Sequence, residues 1–416
     1  MARSTFCIVG AGMAGGRAAE SLRHLGFDGR LLLLGDEAEP PYERPPLSKA
    51  YLNGELERSR VFLRSETFYR DQGVEWRPGV SVTALELEPL SLKLSDGEEV
   101  RGDQVLLATG SRPAQLSVPG SDLDGVFTYR DLSDADGLIQ KLAERPRLVV
   151  VGGGFLGTEL AAAARRRDCE VTVLELGPRL LAPLGHLVAE HCTRLQIESG
   201  VGIRLQARVA SLLGRSRVEA AELADGSRID CDLVLVCVGA TPRIELAQRA
   251  GIACAEGILV DEHCRSSHPN VFAAGDVASW WSPHWQRRLR LEHYDNAQQQ
   301  GLYVATAMLG GTDAHDPLPY FWTEQPGAMV QVAGVDLGGA TTCVRGEPES
   351  GRFSVFLTEE DRVQACLAVN RFPDLAAARR LIRTRTDVDQ DQLQDPDFDL
   401  SGWSRQMEEE AADAGR

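Results

Sequence analysis

Two glycine-rich turns constrain the fold of this chain more than any other feature of its sequence. The turns run from Gly10 to Gly15 and from Gly152 to Gly157, and each has the spacing Gly-x-Gly-x-x-Gly. An apolar run precedes each turn, a helical pattern follows it, and a second apolar run then ends close to an acid. This order is typical of a parallel β-α-β unit that binds a dinucleotide. The sequence therefore predicts an α/β protein with two Rossmann-like nucleotide-binding domains.

The glycines of such a turn differ in their tasks. The first permits a tight turn, the second lets a pyrophosphate approach the backbone, and the third lets the helix pack closely on the strand. The N–H groups at the start of the helix then bind the phosphates. These positions are Gly10, Gly12 and Gly15 in the first turn and Gly152, Gly154 and Gly157 in the second.

An acid follows the second strand of each unit. Asp36 is placed to accept hydrogen bonds from both hydroxyls of an adenosine ribose. Glu175 would accept the ribose 2′-hydroxyl of NAD and repel the 2′-phosphate of NADP. Arg179 is close in sequence, so NADPH stays open as an alternative to the favoured NADH.

Composition and charge narrow the function classes. The chain has 416 residues, enough for two or three domains, and a formal net charge of -17. Such an acidic chain disfavours a general nucleic-acid binder, because phosphate binding needs positive charge. No apolar run reaches the roughly 18 residues that a membrane span needs, and the N-terminus has no apolar signal core. We therefore expect a cytoplasmic protein that binds neither nucleic acid nor membrane.

The nine cysteines do not form a metal or redox motif. None stands in a Cys-x-x-Cys pair, and most lie in apolar surroundings, such as Cys7 in FCIVG and Cys237 in LVLVCVGA. We expect buried thiols in a reducing compartment, and no metal site.

The sequence changes character from about Tyr320. Alternating segments such as AMVQVAGVDLGG, RFSVFLTEED and RVQACLAVN predict an antiparallel sheet, and DLAAARRLIRT predicts a helix after it. These segments predict a separate C-terminal α+β domain. The last residues, SRQMEEEAADAGR, are charged and small, and we expect them to form a mobile tail.

A flavin dinucleotide with a nicotinamide is the common pairing for two such sites, and the segments LLATGSRP and NVFAAGDVA favour it. The motifs PYERPPLSK, GGGFLGTE, AAGDVA, FWTEQ and AARRLI followed by DPDFDL then occur in order along nearly the whole chain. On these motifs the chain resembles the NADH-dependent ferredoxin reductases of bacterial oxygenase systems. That family shares a branch of the glutathione-reductase-fold flavoproteins with apoptosis-inducing factor.

The resemblance implies the glutathione-reductase fold and a division of the chain among its domains. An FAD-binding domain would comprise residues 1–111 and 240–316, interrupted by an NADH-binding domain over 112–239. The C-terminal α+β domain would cover 317–403, and the mobile tail 404–416.

The resemblance also implies which residues bind the two cofactors. The expected FAD contacts are Gly10, Gly12, Ala14, Gly15, Asp36, Arg44, Lys49, Ala108, Thr109, Gly110, Arg130, Asp276, His293, Tyr294 and Trp322. The expected NADH contacts are Gly152, Gly154, Phe155, Leu156, Gly157, Glu159, Glu175, Gly239 and Glu292.

Three residues are expected to take part in the reaction, in which hydride passes from the nicotinamide to the flavin. The resemblance implies that Lys49 and Glu159 meet near flavin N5, where the lysine stabilises the anionic reduced flavin and the carboxylate orients it. A surface salt bridge is the alternative interpretation. Phe155 would cover the flavin until the nicotinamide displaces it, or would be a core residue at a helix start.

The electron acceptor follows from an absent cysteine. Disulfide reductases of this fold carry redox cysteines where this chain reads PPLSKAYL, with Ser48 and no cysteine. Electrons would therefore leave the flavin one at a time for a 2Fe–2S ferredoxin, whose acidic surface calls for a basic dock. The candidates are Arg64, Arg70, Arg287, Arg288 and Arg290, with a solvated charged loop as the alternative.

Rival functions stay open at this point. A rubredoxin reductase, a direct NADH oxidase and a redox-sensing flavoprotein like apoptosis-inducing factor are the alternatives, and the protein is expected to be a monomer or homodimer. Glu292-His293 resembles the apoptosis-inducing-factor subset more than the oxygenase-linked reductases. Arg243 also departs from the family, which usually has Asn there, and this leaves local nucleotide contacts open.

Overall fold

The computed structural model describes residues 4–336 and 338–414. The chain divides into two compact units. The first unit comprises Met1–Leu47, Gly54–Arg112 and Ala240–Pro317, and the second comprises Ser48–Asn53, Pro113–Gly239 and Leu318–Arg416. The division into domains predicted from the sequence stays a prediction.

The strands of the described residues span all parts of the chain. In chain order they are β1 (Thr5–Val9), β2 (Arg30–Leu34), β3 (Val74–Arg77), β4 (Val82–Leu87), β5 (Leu90–Leu94), β6 (Glu99–Arg101), β7 (Gln104–Leu107), β8 (Ser111–Pro113), β9 (Val126–Thr128), β10 (Arg147–Val151), β11 (Glu170–Leu174), β12 (Gly202–Arg204), β13 (Val209–Gly214), β14 (Val218–Leu223), β15 (Arg228–Asp230), β16 (Leu233–Val236), β17 (Ala240–Pro242), β18 (Ile258–Val260), β19 (Val271–Ala273), β20 (Ala278–Ser282), β21 (Arg287–Leu289), β22 (Tyr320–Gln325), β23 (Ala328–Gly334), β24 (Thr341–Glu347), β25 (Arg352–Glu359) and β26 (Arg362–Val369).

The α-helices of the described residues fall between these strands and after them. In chain order they are α1 (Met13–His24), α2 (Glu66–Asp71), α3 (Leu132–Leu142), α4 (Phe155–Arg165), α5 (Gly185–Glu198), α6 (Glu245–Arg249), α7 (Tyr294–Met308), α8 (Phe372–Thr384), α9 (Gln390–Gln394) and α10 (Leu400–Ala414).

The central sheet of the first unit is parallel, with strand order β19-β7-β1-β2-β3. The apolar run FCIV of β1 and the run LLLL of β2 are buried along their whole length. Such strands suit a parallel sheet that is covered on both faces. Because all five strands run the same way, their carboxyl ends lie at one edge of the sheet, where ligands bind in folds of this kind.

The second unit repeats this arrangement. Its parallel sheet has strand order β12-β11-β10-β16-β9, and β10 pairs with β11 so that Val151 lies opposite Leu174. The predicted strand, turn, helix and strand are therefore present in both halves of the chain, at the two places where the glycine turns occur.

The predicted C-terminal α+β arrangement also belongs to the second unit. Five antiparallel strands have the order β22-β23-β26-β25-β24, and helix α8 buries its apolar face, including Leu375, Leu381 and Ile382, against this sheet. The antiparallel sheet and the following helix that the sequence predicted are confirmed.

The mobile tail predicted for residues 404–416 is wrong as far as residue 414. Helix α10 begins at Leu400, before the predicted boundary, and packs against α8. Leu400 and Ser404 are buried, and Arg380 of α8 donates a hydrogen bond to Glu408 at 3.2 Å. The prediction rested on the acidic run and overlooked the helical spacing of Leu400, Trp403 and Met407, which places these residues on one face. Residues 415 and 416 lie outside the described residues.

A buried arginine holds the segment that precedes α10. Arg345 on β24 is 3% exposed, and it donates hydrogen bonds to the carbonyl oxygens of Pro396 at 3.2 Å and Phe398 at 2.7 Å. Its Nε lies 3.4 Å from a carboxylate oxygen of Asp374, which is also buried. The motif DPDFDL is therefore held to the sheet by one guanidinium, whose fork of donors matches several carbonyls at once.

The structure bears on two predictions about the whole chain, which concern membrane spans and cysteines. Within the described residues, no helix combines the length and the apolar character that a membrane crossing requires. All nine cysteines are free thiols, and seven of them are buried, as predicted, whereas Cys254 and Cys237 are partly exposed, the latter despite its apolar surroundings in the sequence. The cytoplasmic location stays a prediction.

Candidate active site

The first glycine turn lies between β1 and α1 in the first unit. Gly10 has φ +110°, and a Cβ atom there would come within 2.1 Å of the Ala108 carbonyl oxygen. A Cβ atom at Gly15 would come within 1.9 Å of the Gly10 carbonyl oxygen, so helix and strand require both glycines. At Gly12 a Cβ atom would meet no atom within 4 Å. The space beside the helix N-terminus therefore fits a pyrophosphate, as FAD would provide.

The second glycine turn repeats this pattern between β10 and α4. Gly152 abuts the Cys237 carbonyl oxygen, and a Cβ atom at Gly157 would come within 2.0 Å of the Gly152 carbonyl oxygen. Gly154 faces open space, and so does Gly239, which follows β16 at the same edge of the sheet. The second turn therefore fits a second dinucleotide.

The acid of the second unit lies against its glycine turn. Glu175 follows β11 and accepts hydrogen bonds from the backbone N–H groups of Gly153 at 2.7 Å and Gly177 at 2.6 Å. These two bonds fix the carboxylate beside the turn, at the place where the ribose of a bound NADH is expected.

The acid of the first unit has a partner that the sequence did not predict. Asp36 forms an ion pair with Arg243 at 2.6 Å, and both side chains are exposed by more than two fifths. The backbone carbonyl of Arg243 also accepts a hydrogen bond, from Thr109 Oγ1 at 2.8 Å. The departure from the family pattern at Arg243 therefore falls on the acid expected to bind the FAD ribose.

The proline-rich loop holds Arg44 in a defined position. Arg44 donates to Glu37 at 2.5 Å and to the Tyr42 hydroxyl at 2.9 Å, and its guanidinium lies 5.0 Å from the Tyr42 ring centroid. Tyr42 is buried and donates in turn to Glu37 at 2.5 Å. The loop thus presents one cation in a single orientation within the first unit.

Asp276 follows β19 at the edge of the first sheet where the carboxyl ends of its strands lie. It is 9% exposed and accepts a hydrogen bond from Ser111 Oγ at 2.8 Å. His293 is the N-cap of α7, and burial lowers its pKa to about 4, although the charge of Asp276 acts in the opposite direction. The neighbouring residues Glu292 and Tyr294 bond within the same unit, to Arg290 and Glu43 respectively.

A buried ion pair lies within the second unit. Lys49 Nζ lies 2.5 Å from Glu159 Oε2, and the two side chains are 13% and 6% exposed. The structure therefore brings these two predicted residues together and does not place them on the surface. Ser48 Oγ donates to the same oxygen at 2.6 Å, and Thr323 Oγ1 donates to Glu159 Oε1 at 2.8 Å.

Thr323 was not among the residues predicted from the sequence. The FWTEQ motif was the available signal, but it was used only as a family signature and for Trp322. Residues 321 and 323 share one face of β22, just as residues 155 and 159 share one face of α4. The phenyl rings of Phe155 and Phe321 pack edge to face, with their centroids 5.1 Å apart. The two faces therefore contact each other through these rings as well as through Glu159 and Thr323.

Two other predicted residues are not brought to this face. Trp322 lies on the opposite face of β22, where its ring lies 6.1 Å from that of Tyr320. Arg130 lies before α3, where its backbone N–H donates to Asp134 at 2.7 Å. Their contacts with FAD stay predictions.

The arginines proposed as a basic dock are partly engaged within the first unit. Arg288 donates to the carbonyl oxygens of Val260 and Ser279, Arg290 pairs with Glu292, and Arg64 pairs with Glu20. Arg287 and Arg70 are exposed. These arginines therefore offer less unpaired positive charge to an acidic partner than the sequence indicated.

Two protein families match this chain. Residues 4–301 match the family described as pyridine nucleotide-disulphide oxidoreductase, and residues 320–403 match the family described as reductase C-terminal. The two matches cover both glycine turns and the C-terminal sheet.

Named relatives are similar over almost the whole chain. The ferredoxin–NAD(+) reductase component of the biphenyl dioxygenase system of Paraburkholderia xenovorans is 40% identical over 393 residues, which cover 94% of this chain and 96% of that protein. The ferredoxin reductase for the CYP199A2 system from Rhodopseudomonas palustris has a TM-score of 0.93 and 33% identity, covering 96% of this chain and 100% of that one.

A third comparison is with the covalent complex of putidaredoxin reductase and putidaredoxin. This chain matches it with a TM-score of 0.93 and 33% identity, covering 99% of this chain and 100% of that one. The resemblance and the fold class predicted from the sequence are confirmed.

Proposed function

Since this chain belongs to the pyridine nucleotide-disulphide oxidoreductase family, we propose that it is an FAD-dependent NADH:ferredoxin oxidoreductase. Its electrons pass to a 2Fe–2S ferredoxin that serves an oxygenase, as the names of its relatives suggest. The observation that carries the proposal is the buried ion pair of Lys49 and Glu159, with Ser48 and not a cysteine beside it.

Both cofactors suit the residues present. The open space at Gly12 and at Gly154 suits one pyrophosphate at each helix N-terminus. When bound, FAD accepts a hydride from NADH and releases electrons singly, so it couples a two-electron donor to a one-electron acceptor. The chain supplies position and charge for this chemistry.

Lys49 supplies that charge. The chain contains only three lysines, and the other two, Lys93 and Lys141, are exposed. A lysine kept in a buried position, in a chain that otherwise uses arginine, supports a chemical role for a compact ammonium ion. Glu159 balances the charge and orients it, and Phe155 at the start of α4 covers the flavin until the nicotinamide binds.

Ser48 supports a ferredoxin as the acceptor. A hydroxyl does not exchange electrons with a flavin or form a disulfide, so this position does not relay electrons to a thiol substrate. The Ser48 hydroxyl instead donates to Glu159, which gives it a place in the charge network.

Glu175 supports NADH over NADPH. Its carboxylate is fixed by two backbone N–H groups beside the second glycine turn. A fixed negative charge at that place favours a free ribose 2′-hydroxyl and disfavours a 2′-phosphate.

One experiment tests the proposed function. The FAD-loaded protein is reduced with NADH under anaerobic conditions, and its reoxidation is then followed with oxygen, a 2Fe–2S ferredoxin or rubredoxin. The proposal expects fast reoxidation by the ferredoxin alone. A long-lived reduced complex with NAD that all three acceptors oxidise slowly would refute it and favour a redox sensor.

A further inference from the structure

A threonine on β22 holds the carboxylate of the buried ion pair. We propose that Thr323 is a positioning residue, which holds Glu159 Oε1 so that Glu159 Oε2 stays on Lys49. The use of the pair in flavin reduction rests on the proposed function. The positioning itself rests on contacts within the second unit alone.

The two oxygens of Glu159 have different partners. Oε2 accepts from Lys49 Nζ at 2.5 Å and from Ser48 Oγ at 2.6 Å. Oε1 accepts from Thr323 Oγ1 at 2.8 Å and from the Glu324 backbone N–H at 3.4 Å. The last torsion of a glutamate side chain is soft and nearly two-fold, so its orientation depends on such partners. Thr323 supplies the shorter of the two bonds to Oε1.

Thr323 is itself held by a buried amide. Gln325 Nε2 donates to Thr323 Oγ1 at 2.9 Å, and Thr323 is 0% exposed. Because this bond occupies a lone pair of the hydroxyl oxygen, the single hydroxyl proton is directed to Glu159. The threonine therefore acts as a donor in one fixed direction.

The chain of donors continues into helix α5. Gln196 Nε2 donates to Gln325 Oε1 at 2.9 Å and to the Thr158 carbonyl at 3.0 Å, while Gln325 Nε2 also donates to Thr158 Oγ1 at 3.1 Å. Three successive hydrogen bonds thus point from Gln196 through Gln325 and Thr323 to the carboxylate. Such aligned donors strengthen one another, and they place their partial positive charge on Glu159.

This arrangement goes beyond what packing requires. A buried hydroxyl needs a partner, but packing alone does not require that this partner be a charged group. Here the hydroxyl donates its hydrogen bond to Glu159, the carboxylate that binds the buried lysine. Loss of the hydroxyl leaves the long bond from Glu324 on Oε1, while Ser48 and Lys49 still donate to Oε2, so we expect the carboxylate to hold the ammonium in a less defined position.

Substitutions at Thr323 separate this role from packing. Thr323→Val keeps the shape of the side chain and removes the hydroxyl, whereas Thr323→Ser keeps the hydroxyl. A hydrogen bond to a charged group contributes about 1.5–3 kcal/mol, which corresponds to a factor of ten or more. We expect the rate of flavin reduction at saturating NADH to fall about tenfold in Thr323→Val, with the apparent Kd of NADH unchanged, and to recover in Thr323→Ser.

A spectroscopic measurement reports on Lys49 directly. With only three lysines in the chain, ¹⁵N-lysine labelling of the FAD-loaded protein yields at most three side-chain ammonium signals. Lys93 and Lys141 are exposed and exchange rapidly with water, so the protected signal belongs to Lys49. We expect this signal in the wild type and in Thr323→Ser, and its shift or loss in Thr323→Val.

The possible outcomes decide the matter. An unchanged Lys49 signal together with an unchanged reduction rate in a folded Thr323→Val protein overturns the proposal. If Thr323→Val does not fold, Thr323→Ala is compared with Thr323→Ser, since these two differ by one oxygen atom, and equal Lys49 signals in both then overturn it. If NADH fails to reduce even the wild type, the proposed function fails, while the lysine signals still test the positioning.

Discussion

Removal of Lys49 tests whether its ion pair with Glu159 behaves as a buried or as a surface pair. An exposed pair contributes about 0.2–1 kcal/mol to stability, whereas removal of one partner from a buried pair costs about 3–5 kcal/mol. Exposures of 13% and 6% put this pair in the second class. We expect Lys49→Met to cost ~3 kcal/mol, the low end of that range, because Ser48 and Thr323 still donate to the carboxylate.

The double variant distinguishes an unpaired charge from lost packing. Lys49→Met combined with Glu159→Gln removes both charges and keeps both volumes. Since replacement of a whole buried pair is often nearly neutral, we expect the double variant to return to within about 1 kcal/mol of the wild type. The two substitutions would thus be strongly non-additive.

Hydrogen exchange of backbone amides in α4 and β22 provides the local free energy of opening, which suits a chain with two compact units. All proteins are measured at one fixed excess of FAD, because a bound ligand adds to the apparent stability. Lys93→Met is the matched control, since Lys93 pairs with Glu86 at 3.2 Å and both side chains are about half exposed. A cost for Lys49→Met no larger than that of the control would refute the reasoning.

Three further predictions follow from other contacts. Glu175→Gln keeps an acceptor for the turn but removes its charge, so the ratio of kcat/KM for NADH over NADPH should fall by about tenfold or more in steady-state assays. Arg345→Met leaves the carbonyls of Pro396 and Phe398 without this donor, whereas Asp374 keeps its pair with Arg371 at 2.5 Å, so amides of 392–400 should lose about 1–3 kcal/mol of protection in hydrogen exchange. Burial lowers the pKa of His315 from 6.5 to about 4, so the folded state binds fewer protons than the unfolded state between these values. Stability of the first unit should therefore fall as the pH drops from 6.5 to 4, by roughly 3 kcal/mol for this group, and urea unfolding of His315→Gln should show a flatter pH profile.

Controls and contrary outcomes differ among these three. An unchanged coenzyme ratio in Glu175→Gln would remove the carboxylate from NADH selection. Arg345→Lys retains a charge but loses the fork of donors, so recovery of protection in that variant would show that charge alone holds the segment. His293 has the same pKa direction, and His315→Gln removes only one of the two contributions, so a steep residual pH dependence is expected and a complete loss is not.

Much of this fold could be predicted from short stretches of sequence. The glycine turns, the strands that precede them and the helices that follow depend on local sterics and on the spacing of apolar residues. Gly10 and Gly15, for example, are required because a Cβ atom at either position would come within 2.1 or 1.9 Å of a backbone carbonyl oxygen. Lys49 and Glu159 were predicted to meet, because each lies in a motif that resembles a known family in which the two residues lie together.

The contacts that complete the site lie far apart in the chain. Ser48, Glu159, Thr323 and Gln196 come from four segments, and only the packing of α4 and α5 on β22 decides that their polar atoms converge. The fold likewise decides the ion pair of Asp36 with Arg243 and the hydrogen bonds from Arg345 to the segment before α10. Hydrogen bonds depend on distances of a few tenths of an ångström, which no local pattern encodes.

The predicted mobile tail is another case in which the sequence pattern did not reveal a contact made in the fold. Its charge indicated a solvated segment, whereas α8 provides an apolar surface that covers Leu400 and Ser404. By itself the sequence predicted two nucleotide-binding turns and proposed Lys49, one of three lysines, for their chemistry. Only the tertiary structure decided which hydroxyls and amides line up on the Glu159 carboxylate that pairs with Lys49, because their alignment exists only once the helices and the antiparallel sheet of the second unit have packed.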